Sequence, residues 1–188
     1  MKRGKLLDYG LMAVVAIVLA LALQAYVVRP YRIPSESMAG TLRPGDRVLV
    51  NRVVYRLREP QRGDVMVFRY PLDRAVTFIK RVVGVPGDTL QVKDGRLLLN
   101  GRPVKEPYVH RTGGTVDPTL AQRPLYGSTL QEPWSLAQPY TVPPGSFFVM
   151  GDNRTDSDDS RDWGVVPRDA VIGEGFFLYW PPGHWSAL

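Results

Sequence analysis

Two serines and one lysine have residue types and positions that could support catalysis. Ser35 and Ser37 are one residue apart in a turn-rich loop that directly follows an apolar segment. A serine hydroxyl is a weak nucleophile unless a neighbouring base accepts its proton. Serine is also common in loops, so this spacing alone is weak evidence. Whether Ser37 is a nucleophile therefore depends on whether the chain supplies a base.

The composition restricts the choice of base. The chain has no cysteine and two histidines, His110 and His184, which are far apart and lack metal-ligand spacing. Thiol nucleophiles, disulfides and cysteine-ligated zinc are therefore excluded, and neither histidine has the context of a zinc ligand or a Ser-His-Asp triad. We expect both histidines to lie at the surface, and we expect no cofactor and no metal.

Lys80 is the remaining candidate base. In a strand, the period of two places Phe78, Lys80 and Val82 on one otherwise apolar face, while Arg81 points to the opposite face. A free lysine has a pKa of about 10.4, and lowering it by about three units requires roughly 4 kcal/mol of desolvation. The apolar face can supply this desolvation. The alternative is an edge-strand lysine whose amine reaches water.

The polar run 151–161 is a further candidate element. It follows an apolar strand signal over 146–150 and is rich in Ser, Asp and Arg. The spacing of its aspartates does not match an EF-hand loop, and Arg154 and Arg161 would oppose a bound cation. The alternatives are a solvated loop and a part of one site with Ser37 and Lys80.

The apolar run from Tyr9 to Val28 predicts a single transmembrane helix. Twenty helical residues rise about 30 Å, the thickness of a hydrocarbon core. A cleavable signal peptide is the alternative because Ala20-Leu21-Ala22 has a small-x-small pattern, but this pattern lies inside the run. We predict that residues 1–28 form a cytoplasmic start and a retained membrane anchor. The charges flanking the run favour a cytoplasmic N-terminus only weakly.

Residues 29–188 predict one extracytoplasmic, mostly β domain built from antiparallel sheets. Short apolar runs are bounded by Gly-Asp turns, and Asp94-Gly95 and Asn100-Gly101 predict two hairpins. We expect residues 89–140 to form a less regular insertion or subdomain. The net charge of +6 is spread along the chain, which argues against nucleic acid as a partner and is compatible with a lipid bilayer. The oligomeric state stays open.

Four segments behind the apolar run carry a resemblance to a known family. They are Pro34–Met38, Gly45–Asn51, Ile79–Asp88 and the polar run, with Gly151–Arg154 and Ser157–Arg161. In this order they resemble the sequence boxes of bacterial type I signal peptidases, the leader peptidases that use a Ser/Lys dyad. The resemblance covers most of the chain.

The resemblance implies a β-rich Ser/Lys peptidase that cleaves signal peptides from preproteins after small-x-small residues. Ser37 would be the nucleophile, Lys80 the general base, Ser35 an oxyanion donor and Ser157 the residue that orients the amine. Arg81 and Asp152 would pair and fix the lysine strand, and Asp159 and Arg161 would brace the polar loop. Shallow pockets for the substrate would be lined by Ile33, Pro34, Met38, Leu42, Phe78 and Ile79. The extended substrate would add to a strand edge through main-chain hydrogen bonds.

Three features depart from the pattern of this family. Gly40-Thr41 stands where the family usually has Pro-Thr, which loosens the backbone beside the nucleophile. Thr155-Asp156 replaces Asp-Asn, and neither position has a catalytic role. Glu36 is commonly smaller, and because its charge would favour a protonated Lys80, we expect it to face solvent.

Two other functions are weighed against a signal peptidase. A self-cleaving Ser/Lys repressor-type peptidase shares the dyad chemistry, but it would need a DNA-binding domain and no anchor. A non-catalytic, membrane-anchored β-domain would bind a partner, with Ser37 as a capping residue and Lys80 as a surface lysine.

Overall fold

The computed structural model describes residues 2–111 and 136–188, and within the first helix it describes the side chains of residues 8–22 and Tyr26. Residues 112–135 of the insertion predicted over 89–140 lie outside these residues. The described helices are α1 (Lys2–Tyr26), α2 (Val54–Leu57) and α3 (Ser160–Trp163), with short 3₁₀ turns at Glu36–Met38, Arg168–Ala170 and Pro182–His184. The described strands are β1 (Val28–Arg32), β2 (Arg47–Asn51), β3 (Val65–Tyr70), β4 (Asp73–Gly84), β5 (Thr89–Lys93), β6 (Arg96–Leu99), β7 (Arg102–Pro103), β8 (Tyr140–Thr141), β9 (Ser146–Met150), β10 (Val166–Pro167), β11 (Val171–Trp180) and β12 (Ser186–Ala187).

These strands form two sheets. The larger sheet has the order β1-β2-β11-β3-β4-β9-β10, with β12 also paired to β11. The smaller sheet has the order β7-β6-β5-β8. Every strand pair among the described residues is antiparallel. The prediction of a mostly β protein built from antiparallel sheets is therefore confirmed.

Strand β3 is buried on both of its faces. Val65 and Val67 belong to an apolar cluster with residues of β2, β11 and the Ser37 loop. Met66 and Phe68 alternate with them and belong to a second cluster, on the opposite face. A strand that is buried on both faces has a continuous run of apolar residues instead of alternating apolar and polar ones. This explains why Val65–Phe68 are all apolar.

The two predicted hairpins are present. Asp94 and Gly95 join β5 to β6 with φ of 50° and 70°, and Asn100 and Gly101 join β6 to β7 with φ of 52° and 76°. Two successive left-handed residues are the signature of a type I′ turn, whose twist matches that of the flanking strands. Asp-Gly and Asn-Gly tolerate this conformation better than most residue pairs.

Strand β4 has a partly open edge. It pairs with β3 over most of its length, from Asp73 to Arg81. On its other side it pairs with β9 only from Arg81 onwards. Within the described residues, the edge before Arg81 therefore has no strand partner. Lys80 lies where this open edge begins.

The first helix ends immediately before β1, in which Pro30 lies on the outermost strand of the larger sheet. Proline lacks a backbone N–H and is tolerated at such an edge. Three apolar side chains of α1 are 59–64% exposed, those of Leu11, Ile17 and Leu21. Across the part of the chain that the structure describes, no helix combines the length and apolar character required to span a membrane.

Gly173 of β11 lies against the backbone of β2, and its substitution tests this packing. A Cβ at Gly173 would lie 2.3 Å from the carbonyl oxygen of Asn51. The backbone of β2 cannot move aside as the end of a flexible side chain can. We therefore expect Gly173→Ala to lower the free energy of unfolding by about 1–3 kcal/mol, measured in urea titrations. The matched control is Gly175→Ala on the same strand, where the new Cβ would make ordinary contact at 3.4 Å with Val65. Equal losses in the two variants would contradict this account.

Candidate active site

Ser37 lies on a short, well-supported turn. The turn is held from below by Met38 and Leu42, which are fully buried in the core. From the side, the backbone N–H of Asn153 donates to the carbonyl oxygen of Ser37 at 3.1 Å, and its side-chain amide donates to that of Glu36 at 3.2 Å. The polar run and the serine loop, which are far apart in sequence, are thus joined directly.

The two serine hydroxyls lie next to each other at one cleft. The Oγ atoms of Ser35 and Ser37 are 3.2 Å apart, within hydrogen-bonding distance of each other. Both residues line one cleft of about 400 Å³. The two serines, which one residue separates in the sequence, therefore have adjacent hydroxyl groups in the structure.

Gly40, the departure from the usual proline, is adapted to its position. Its φ is +101°, a value that proline cannot adopt. A Cβ at this position would lie 3.0 Å from the Cβ of His110 and 3.2 Å from the carbonyl oxygen of Tyr108. Tyr108 and His110 therefore pack closely against the Ser37 loop. Glycine suits this position because of its positive φ and because a side chain would meet these two residues at close distance.

Lys80 is buried, with 4% of its surface exposed. Burial lowers the pKa of its amine, whereas the carboxylates of Asp159 and Asp158 raise it and the Arg161 guanidinium lowers it. The net direction is downward. The amine lies 5.7 Å from the centroid of the Phe78 ring on the same strand face. Lys80 lines the same cleft as the two serines.

The structure separates the six predicted pocket residues into two groups. Pro34, Phe78 and Ile79 line the cleft. Ile33, Met38 and Leu42 lie in the buried cluster beneath the serine loop. The three residues in the cleft are thus placed to meet a ligand, and the other three support the loop from inside.

Arg81 and Asp152 form a buried ion pair. The guanidinium donates twice to the carboxylate, at 2.8 and 2.7 Å, and the Thr41 hydroxyl donates to the same carboxylate at 2.6 Å. Such bidentate pairs fix geometry as well as charge. The pair joins the lysine strand to both the polar run and the serine loop.

Asp159 and Arg161 form the second buried pair. Burial alone would raise the pKa of Asp159, but the charge and hydrogen bonds of Arg161 bring it below its ordinary value. Asp159 also accepts the backbone N–H of Gly151 at 2.9 Å and caps α3. This pair stabilises the fold of the polar run.

Ser157 is buried beside the cleft. Its Oγ atom makes no hydrogen bond within the described structure. A Cβ on Gly151 would lie 2.2 Å from this Oγ and 2.3 Å from the carbonyl oxygen of Ser37. Gly151 therefore separates Ser157 from the Ser37 turn, and only glycine leaves enough space there.

Several residues of the site were not identified from the sequence. Asp156 and Asp158 line the cleft. Glu36, which was expected to face solvent, is exposed but also lines the cleft. Tyr108 lies over the Arg81 guanidinium, 4.2 Å from the ring centroid. Arg154 is buried and paired with Glu106. The aspartates could have been flagged by their proximity to Ser157, but no local pattern indicates the Tyr108 contact. No cluster of three or more metal-ligating side chains occurs in the described ranges.

The chain is similar to known proteins of one family. The family model described as "Signal peptidase, peptidase S26" matches residues 6–180. Signal peptidase I of Mycobacterium tuberculosis (strain H37Rv) is 37% identical over 234 aligned residues, covering 100% of this chain and 76% of the relative. Signal peptidase I of Pseudomonas aeruginosa is 37% identical over 224 residues, covering 100% and 78%. A crystal structure of a signal peptidase I from Enterococcus faecalis V583 is 30% identical, covers 62% of this chain and 97% of that one, and has a TM-score of 0.43. The chain therefore belongs to the signal peptidase family, peptidase S26.

Proposed function

We propose that this chain is a membrane-anchored endopeptidase that removes N-terminal signal peptides from exported preproteins, after small-x-small residues. The observation that carries the proposal is that the buried Lys80 shares one cleft with Ser35 and Ser37. A non-catalytic domain would be expected to leave such a lysine at the surface, solvated and protonated. The relatives named signal peptidase I support the substrate class.

The first half of the reaction forms an acyl-enzyme. The neutral Lys80 amine accepts the proton of the Ser37 hydroxyl as the serine oxygen attacks the scissile carbonyl. The Ser35 hydroxyl and the backbone N–H of Ser37 donate to the oxyanion of the tetrahedral intermediate. Lys80 then gives its proton to the leaving amine, and the C–N bond breaks. The signal peptide remains attached to Ser37 as an ester.

The second half regenerates the enzyme. Lys80, again neutral, accepts a proton from water, and the hydroxide attacks the ester carbonyl. The same oxyanion donors stabilise the second intermediate, and Lys80 returns the proton to the Ser37 oxygen as the ester bond breaks. Ser157 would orient the amine through both halves by a hydrogen bond that its Oγ does not make in the described structure. Arg81 with Asp152 fixes the lysine strand, and Asp159 with Arg161 braces the polar loop.

The substrate lies as an extended strand beside β4. The support for this is the edge of β4 before Arg81, which lacks a strand partner among the described residues. Main-chain hydrogen bonds to such an edge bind peptides with little regard to sequence. The cleft walls formed by Pro34, Phe78 and Ile79 then select small side chains before the cut.

Residues 1–28 provide a cytoplasmic start and the membrane anchor, and residues 29–188 the extracytoplasmic catalytic domain, with 89–140 as an insertion in it. The support is the apolar run of Tyr9–Val28, whose described side chains are largely exposed. The chain would then cross the inner membrane once, with its N-terminus in the cytoplasm.

The dyad predicts that Ser37→Ala and Lys80→Met each lower cleavage of a detergent-solubilised preprotein by at least about 10³-fold. The double variant should be no worse, because the two residues act as one unit. Lys80→Met should also raise the free energy of unfolding at pH 7, since no amine then has to be kept neutral in an apolar site. Multiplicative losses, or a single variant that retains about a tenth of the rate, would contradict the dyad.

The oxyanion role predicts that Ser35→Ala lowers kcat by about a hundredfold with little change in KM. One donor is removed that acts mainly in the transition state, which corresponds to roughly 3 kcal/mol. The measurement is steady-state kinetics on a signal-peptide substrate. A loss confined to KM would make Ser35 a binding residue instead.

The pKa of Lys80 predicts a specific pH dependence. For a general base, kcat/KM rises with pH through the lowered pKa of the amine. The carboxylate of Asp158 raises that pKa, so Asp158→Asn should move the acid limb of the profile to lower pH. The matched control is Asp156→Asn, which removes an exposed carboxylate from the same cleft and should leave the limb in place. An unmoved limb in Asp158→Asn, or equal shifts in both variants, would contradict Lys80 as the titrating base.

A further inference from the structure

A second cleft lies where the first helix joins the β-domain. Its volume is about 830 Å³, and it shares no lining residue with the cleft that contains Ser37. Its walls are formed by α2 with the residues that flank it and by segment 168–172, and Arg69 of β3 and Tyr26 at the end of α1 complete the lining. Nothing in the proposed reaction uses this cleft.

The walls of this second cleft carry an excess of positive charge. Five arginines and two carboxylates line it. Two of the arginines are already paired, Arg58 with Asp64 and Glu174, and Arg168 with Glu59. The other three are Arg52, Arg56 and Arg69, and none of them has a carboxylate partner in residues 2–111 and 136–188.

The rim of the cleft is apolar beside this charge. Leu57 at the end of α2 is 83% exposed, and Tyr26 is 77% exposed. Guanidinium groups bind phosphate oxygens in a bidentate manner, and exposed apolar side chains favour an acyl region over water. A ligand in which a phosphate group is joined to a hydrocarbon chain matches both features.

We propose that this second cleft binds the headgroup of an anionic phospholipid. This inference rests on the proposed anchoring, which places the cleft at the membrane surface. Tyr26 ends the helix that would leave the bilayer at this point. A free phosphate would match the arginines but would leave Leu57 and Tyr26 without a role. Each arginine beside an anionic headgroup contributes about fivefold to affinity. The site would hold the β-domain in a fixed orientation against the membrane surface.

The test is native mass spectrometry of the full chain in a neutral detergent. The probes are short-chain phosphatidylglycerol, phosphatidylcholine of the same chain length, and sodium phosphate as a competitor. We expect wild type to prefer phosphatidylglycerol by about tenfold or more, and the variant Arg52→Gln/Arg56→Gln/Arg69→Gln to lose that preference. The matched control, Arg96→Gln/Arg102→Gln/Lys105→Gln, removes the same charge from exposed positions outside the cleft and should keep it.

Equal phosphatidylglycerol binding by the two triple variants would overturn the proposal. If sodium phosphate competes for the cleft as strongly as the lipid does, the proposal is also overturned, in favour of a small-anion site. If circular dichroism shows that the cleft variant is unfolded, Asp169→Asn decides the question. It removes a carboxylate from the wall and should tighten lipid binding severalfold, and an unchanged affinity would overturn the proposal.

Signal-peptide cleavage, measured in the same preparations, separates this proposal from the proposed function. None of these substitutions touches the catalytic cleft, so each folded variant should cleave at the wild-type rate. A wild-type protein that binds the lipid without cleaving would contradict the proposed function alone. A wild-type protein that cleaves without preferring phosphatidylglycerol would contradict the lipid site alone.

Discussion

Burial of the Lys80 amine is the interaction on which the candidate site depends. A lysine can accept a proton from serine only when it is neutral, and at neutral pH only its surroundings can keep it so. The amine lies on the face of β4 that also carries Phe78 and Val82, with 4% of the residue exposed. In the proposed Ser/Lys dyad, the apolar cluster behind this face would have a chemical role as well as a stabilising one.

The polar run presents the opposite problem, because it brings carboxylates close to the same amine. Asp159 is fully buried, and its charge favours a protonated Lys80. Arg161, paired with Asp159, carries the compensating charge and lowers the pKa of Lys80. A carboxylate that is needed to hold Gly151 and α3 is thus tolerated beside the base, because its counterion is buried with it.

Local patterns predicted the strands and the turns well. The period of two in β4 placed Lys80 and Arg81 on opposite faces, and the Asp-Gly and Asn-Gly pairs marked the hairpins, because backbone sterics act over a few residues. Local patterns did not distinguish a cleft wall from a core position. Ile33, Met38 and Leu42 have the same residue types as a pocket lining, yet they lie beneath the serine loop.

The sequence by itself determined the residue types of the site, the strands that carry them and the resemblance to a family of Ser/Lys peptidases. Only the tertiary structure decided which distant segments meet. Gly40 suits its position because Tyr108 and His110 pack against the Ser37 loop, and Asp158 raises the pKa of Lys80 because the polar run lines the same cleft. Such contacts depend on how the chain packs over many residues. No local propensity encodes them, because the free energy of packing is shared among elements that are distant in sequence.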